Sequence, residues 1–141
     1  MINTSEKKIN HAITKVTKAV FPNTTNHYDT LFGGTALQWM DEVAFITATR
    51  YSRQKMVTVS SDKIDFNKAI PAGTIVELIG QIERVGNTSL EVRVDVFTEE
   101  MYSNHREKSI SGCFSSALRI LYAWAVSAFH ANQAGTMSIA N

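Results

Sequence analysis

Residues 33–51 read GGTALQWMDEVAFITATRY, and the period of their apolar side chains decides the architecture. At roughly 100° per residue, Leu37, Met40, Ala44, Ala48 and Tyr51 cluster tightly. Trp39, Val43, Ile46 and Thr47 widen that arc, and only Gln38, Glu42 and Thr49 make a clear polar stripe. The pattern predicts a helix over about 35–51 that the fold wraps around rather than lays on its surface. One carboxylate, Asp41, falls on the apolar arc. A carboxylate there must be hydrogen-bonded, paired, or raised in pKa by desolvation. On pattern alone Asp41 is therefore either a satisfied structural Asp or a base or nucleophile. Its neighbour Glu42 falls on the polar stripe and reads as a solvated helix residue.

Upstream, residues 26–34 read NHYDTLFGG. The Phe32-Gly33-Gly34 turn opens the helix, and its free backbone N–H groups carry about +0.5 charge in sum. Asn26, six residues before that turn, reads as a loop-capping residue or as an amide that orients a reactant. Asn26, Gly33, Gly34 and Asp41 together supply the parts needed to attack a carbonyl carbon and hold the resulting oxyanion.

Elsewhere the period is two. Residues 12–21 (AITKVTKAVF) read as a first strand, which Pro22 and the Asn/Thr cluster after it end. In 56–66, Val57 and Val59 point one way while Ile64 and Phe66 take the opposite parity, a phase slip that predicts a bulge near Ser61. Strands follow over about 75–85 and 90–96, separated by a Gly86-Asn87 turn, and over 106–114 with Ile110 and Phe114 inward. Sequential strands with short turns predict a largely antiparallel sheet, and one long buried helix makes the class α+β. From Ser115 the sequence has no acidic residue, and 118–126 read equally as a strand extension or a short helix.

The chain has 141 residues, 44% of them hydrophobic and 19% charged, with a net charge of +1, which predicts one globular domain. That balance gives no electrostatic case for nucleic acid or an anionic membrane. The single cysteine, Cys113, excludes an internal disulfide and a multi-cysteine metal site, and reads as a small packing residue on its strand. His11, His27, His105 and His130 lack ligand spacing, so no metal is expected. No G-x-S-x-G elbow is present, which disfavours a Ser-His-Asp hydrolase. With no apolar leader and no spanning run, the expected location is the cytoplasm.

Three segments in order carry a family resemblance: FPNTTNHYDTLFGGTALQWMDEVAFITATR, VTVSSDKIDF and PAGTIVELIGQIERVGNTSLEVRV. Over about 12–114 the chain resembles the hotdog-fold acyl-CoA thioesterases, the group of brain-type acyl-CoA hydrolases and short bacterial relatives. The resemblance implies a curved antiparallel sheet of about five strands wrapped around one long helix. It implies hydrolysis of acyl-CoA to free acid and CoA, with no cofactor beyond the substrate's CoA. By position, Asp41 matches the general base or nucleophile, Asn26 the residue that orients the reactants, and Gly33 and Gly34 the oxyanion donors. Family members bring Asn and Asp together from opposite protomers, which implies a homodimer as the catalytic unit and a hexamer, a trimer of dimers, as the assembly.

CoA phosphates need basic partners, and Arg53, Lys55, Lys63, Lys68 and Arg84 are candidates. His27, Phe32, Thr88 and Ser89 are further candidates for substrate contact. Asp29 stands where many members have Gly, and Ala69 replaces a common Pro. Most members end in a strand reading like FTFVALD, whereas this chain reads FSSALRILYAWAVSAF, which looks like a frame-shifted or replaced end. Two rivals remain: a non-catalytic acyl-CoA-binding module, and a hotdog hydratase or dehydratase, which would want a His paired with the acid.

Overall fold

The computed structural model describes residues 4–118. A short helix α1 (Thr4–Ala12) leads into strand β1 (Thr14–Ala19), and a single 3-10 turn, Pro22–Thr24, starts the loop that delivers helix α2 (Gly33–Ser52). Four longer strands follow: β2 (Met56–Phe66), β3 (Thr74–Val85), β4 (Ser89–Glu100) and β5 (Arg106–Leu118). They form one five-stranded sheet in the order β1-β3-β4-β5-β2, every neighbouring pair antiparallel. The expected α+β class and antiparallel sheet are present. Chain order does not predict the edges, however. Only β3-β4-β5 is a meander, while β1 pairs with β3 and β2 crosses to the far edge beside β5.

Helix α2 packs its Ala36, Met40, Val43, Ala44, Thr47 and Ala48 against one face of the sheet. The facing residues alternate along each strand: Val76, Leu78 and Ile82 on β3, Leu90, Val92, Val94 and Val96 on β4, Ile110 and Phe114 on β5. Small residues set how closely the helix can lie. A Cβ on Gly80 would come within 2.8 Å of Val43 Cγ1 and closer still to Thr47 Oγ1. A Cβ on Gly112 would stand 3.3 Å from Met40 Cε and run into Ile64 Cδ1.

Boundaries differ from expectation before β1 and in β1, β4 and β5, whereas the phase slip expected in β2 is present. The polar start forms α1, which has Ala12 as its buried residue. Arg50 of α2 ties α1 down by donating to the carbonyls of His11 and Ile13 and to Thr14 Oγ1. The first strand is shorter than 12–21 because its outer residues end that helix and begin the loop. The phase slip in β2 is two irregularities, between Thr58 and Ser60 and between Asp62 and Asp65, flanking Ser61, with Lys63 at φ 52°. Strand β5 runs on to Leu118, and the rest of 118–126 lies outside the described residues.

The close approach at Gly80 predicts that Gly80→Ala lowers unfolding free energy by about 1–3 kcal/mol, read as a lower urea midpoint at unchanged m-value. An unchanged midpoint would mean that the helix has room to move off the sheet.

Candidate active site

Asn26 lies in the loop between β1 and α2, and Gly33 and Gly34 open the helix that this loop delivers. The loop is pinned to its surroundings by backbone bonds: Phe32 N–H to the Thr24 carbonyl at 3.0 Å, Leu31 N–H to Ile70 at 2.7 Å, and Ala72 N–H to Asp29 at 2.9 Å. Asn26 is a loop cap. Its Oδ1 accepts from the N–H groups of Tyr28 (2.9 Å) and Thr30 (3.3 Å) and from the Thr30 hydroxyl (3.1 Å). All three bonds fall on oxygen, so the Nδ2 donor is the end of the amide left to meet anything else. Asp29 adopts φ 59°, the left-handed region that favours Gly.

Helix α2 starts at Gly33 with Phe32 as N-cap, and no side chain caps it. Its first internal bond is Ala36 N–H to Phe32 at 3.0 Å. The N–H groups of Gly33, Gly34 and Thr35 therefore have no partner within the helix and point out of its start. The protomer itself does not demand either glycine. A Cβ on Gly33 meets nothing within 4 Å, and one on Gly34 meets only the Phe32 ring at ordinary contact distance, 3.6 Å.

Asp41 corrects the wheel reading. It is exposed, on the face of α2 opposite the core, and it is not desolvated within the protomer. Its neighbours there are Glu42 and two large apolar side chains, Phe45 (48% exposed) and Ile46 (38% exposed). The apolar arc thus comprises a core face and a second, uncovered face, and Asp41 belongs to the second. Thr49, assigned to the polar stripe, has its Oγ1 buried without a hydrogen-bond partner.

The candidate CoA contacts are dispersed. Lys68 pairs with Glu107, whose carboxyl that lysine holds below the usual range, and Arg84 lies 3.9 Å from Glu91. Arg53 closes α2 in a left-handed conformation, its Nη2 3.3 Å from His11 Nε2. Lys55 is exposed just past that end, and His27 and Phe32 are exposed on the loop, His27 packed on the Tyr28 ring. Thr88 and Ser89 border a cleft of about 260 Å³ between the β3–β4 hairpin and the end of α2. Lys63 borders a different hollow, of about 180 Å³, on the outer sheet face. These residues do not form one basic patch in the protomer.

A cleft of about 340 Å³ does open beside Gly33, lined also by Leu31, Ala36, Phe66, Ile70 and Ile110 among others. Among the described residues no cluster of His, Cys, Asp and Glu suits a metal ion, and no helix is long and apolar enough to cross a membrane.

One long helix against a curved antiparallel sheet is the hotdog fold, and solved acyl-CoA hydrolase structures share it. The chain belongs to the thioesterase superfamily, whose family model matches residues 28–103, more than half of its length. It is 41% identical over 91 residues to YkhA of Bacillus subtilis (strain 168), named an uncharacterized acyl-CoA thioester hydrolase. That match covers 64% of this chain and 53% of the relative. The chain spans about half the length of the first curated relatives it matches. An acyl-CoA hydrolase from Staphylococcus aureus, solved with butyryl coenzyme A, coenzyme A and coenzyme A disulfide, superposes with a TM-score of 0.75 at 30% identity. It covers 78% of this chain and 67% of that one. An apo hexameric acyl-CoA thioesterase superposes at 0.76 and 32% identity, covering 78% and 70%.

Cys113 is a second correction. It lies on the outer face of the sheet, not in the core, and its Sγ–H donates to the Glu83 carboxylate at 2.7 Å. Burial first, then that hydrogen bond and the negative charges of Glu83 and Glu91, push the thiol from 9.0 up to about 11. The thiolate is the reactive form, so at pH 8 iodoacetamide should label Cys113 about a hundredfold more slowly than a cysteine of ordinary pKa. Glu83→Gln should speed labelling, and mass spectrometry of the modified chain reads both rates. Fast labelling at pH 8 in the unaltered protein would contradict this assignment.

Proposed function

We propose that this protein hydrolyses acyl-CoA thioesters to a free carboxylic acid and CoA, in a site completed by a second copy of the chain. The observation that carries this reading is Asp41, a carboxylate left bare on a partly apolar helix face while unpartnered N–H groups stand at the start of the same helix. Strand β2 extends the uncovered surface. It is a sheet edge and carries Val59 and Phe66, 44% and 53% exposed. Such an edge invites pairing with another chain. The hexameric thioesterase among the similar structures supports assembly into a hexamer, which we propose is a trimer of dimers.

In this reading the Asp41 carboxylate takes a proton from water, whose oxygen attacks the thioester carbonyl carbon. The N–H groups of Gly33 and Gly34 hold the oxyanion, and the Asn26 Nδ2 positions water or carbonyl. Collapse breaks the C–S bond, and the departing thiolate takes the proton from Asp41. Direct attack by the carboxylate, followed by hydrolysis of the mixed anhydride, uses the same residues. No further cofactor is proposed, and the cytoplasm is the proposed setting.

The S. aureus hydrolase supports these roles through residue spacing. Its solved variants replace an Asn, an Asp and a Thr by Ala. The first two stand fifteen residues apart, as Asn26 and Asp41 do, and the third follows the Asp by seventeen, as Thr58 follows Asp41. Thr58 therefore joins the proposed site, at the β2 irregularity. Pattern reading gives it no signal, since it is one of several hydroxyl residues on that strand.

Thiol release from a panel of acyl-CoAs tests the proposal. Asp41→Ala should lower kcat by about 10²–10⁴-fold with an unchanged melting midpoint. Gly33→Ala is the sharper variant. With no clash inside the protomer it should fold as well as the parent, yet lose roughly 10²-fold in rate by displacing the carbonyl. Full activity in both variants would overturn the assignment.

A further inference from the structure

We propose that the cleft beside Gly33 receives the acyl chain and that its own-protomer walls set the longest chain accepted. This rests on the thioesterase reading above and adds a specificity determinant to it. Gly33, whose N–H is proposed to hold the carbonyl oxygen, is itself one of the residues lining the cleft, which places the cleft next to the carbon that the acyl chain extends from.

Its chemistry suits an alkyl chain. Leu31, Ala36, Ile70 and Ile110 are buried apolar side chains that line it, and Phe66, half exposed, borders it. Polar groups on the lining come from Thr30, Asn67 and Lys68, and Lys68 is already paired with Glu107. The walls are also fixed in place. Leu31 N–H donates to the Ile70 carbonyl at 2.7 Å, joining one wall to the other, and a β-bridge joins Thr30 to Pro71. The N–H groups of Asn67 and Lys68 both donate to the Ser109 carbonyl, at 2.9 and 3.2 Å, which holds the 67–70 segment against β5. A preformed apolar slot of this kind discriminates by length, because a chain that outgrows it finds no further apolar surface to bury.

The volume sets the scale. At about 30 Å³ per water-sized group, the cleft's 340 Å³ matches a chain of roughly ten carbons. Each buried methylene strengthens binding by about fourfold. The ratio kcat/KM should therefore climb about fourfold per added carbon from short acyl-CoAs and level off at medium length.

Two substitutions that fill the cleft test this. Ala69→Met acts from an exposed position, where folding is not at stake, and Ala36→Met acts from the buried helix face. Thiol-release kinetics on a series from acetyl- to palmitoyl-CoA, with a thermal melt on each variant, give the readout. We expect the plateau to arrive two to three carbons earlier in at least one folded variant, and the decanoyl-to-butyryl ratio of kcat/KM to fall roughly 16- to 64-fold. Turnover by the unaltered protein with the same chain-length profile in both folded variants overturns the cleft assignment and leaves hydrolysis standing. Should Ala36→Met fail to fold, Ala69→Met alone decides. Absence of turnover for every acyl-CoA by the unaltered protein overturns the thioesterase reading and this proposal with it.

Discussion

The close seating of α2 on the sheet is the constraint from which the rest follows. Gly80 leaves the space that Val43 and Thr47 occupy, so the helix buries one face completely. A single sheet can cover only one side of a helix. The opposite face, with Asp41, Phe45 and Ile46, is left for something else to cover. Core packing and the proposed catalytic geometry are thus two sides of one element. A change that lifts or rotates α2 alters both.

The start of the helix obeys the same economy. The loop before it is fixed by backbone hydrogen bonds and by the Asn26 oxygen, so no side chain is needed to cap α2. Its first N–H groups remain available, and neither Gly33 nor Gly34 is required by the protomer's own packing. Two small residues where the fold would accept larger ones indicate that space there serves something outside the protomer. An approaching thioester is the proposed occupant.

Much of this was legible in the chain because local periodicity reports local structure. The helix α2, all five strands (the first with bounds set too wide) and the β2 irregularities follow from spacing that physics ties to burial. The pairing of β2 with β5 was not legible, since a pairing between distant segments leaves no mark in either one. Helix α1 was missed because TSEKKINHA has few apolar residues to set a period; Arg50, thirty-eight residues after Ala12, helps hold it. The position of Asp41 was misread for a physical reason. Phe45 and Ile46 look like core on a wheel, and a face made apolar for a partner carries the same signature as one made apolar for the interior. The dispersed cations have a similar origin: Lys68 and Arg84 answer nearby carboxylates, and a sequence does not say which charges are already spoken for.

The central claim is that Asp41 acts in a site to which another copy brings Asn26. Mixed assemblies test it most directly: purify Asn26→Ala and Asp41→Ala separately, dissociate and reassociate them together, and measure acyl-CoA turnover. Each variant alone should be nearly inactive. Random pairing gives half the dimers one intact site, so the mixture should regain about a quarter of the parent's activity. A mixture as inactive as its two components, with exchange of protomers verified by mass, would contradict the account.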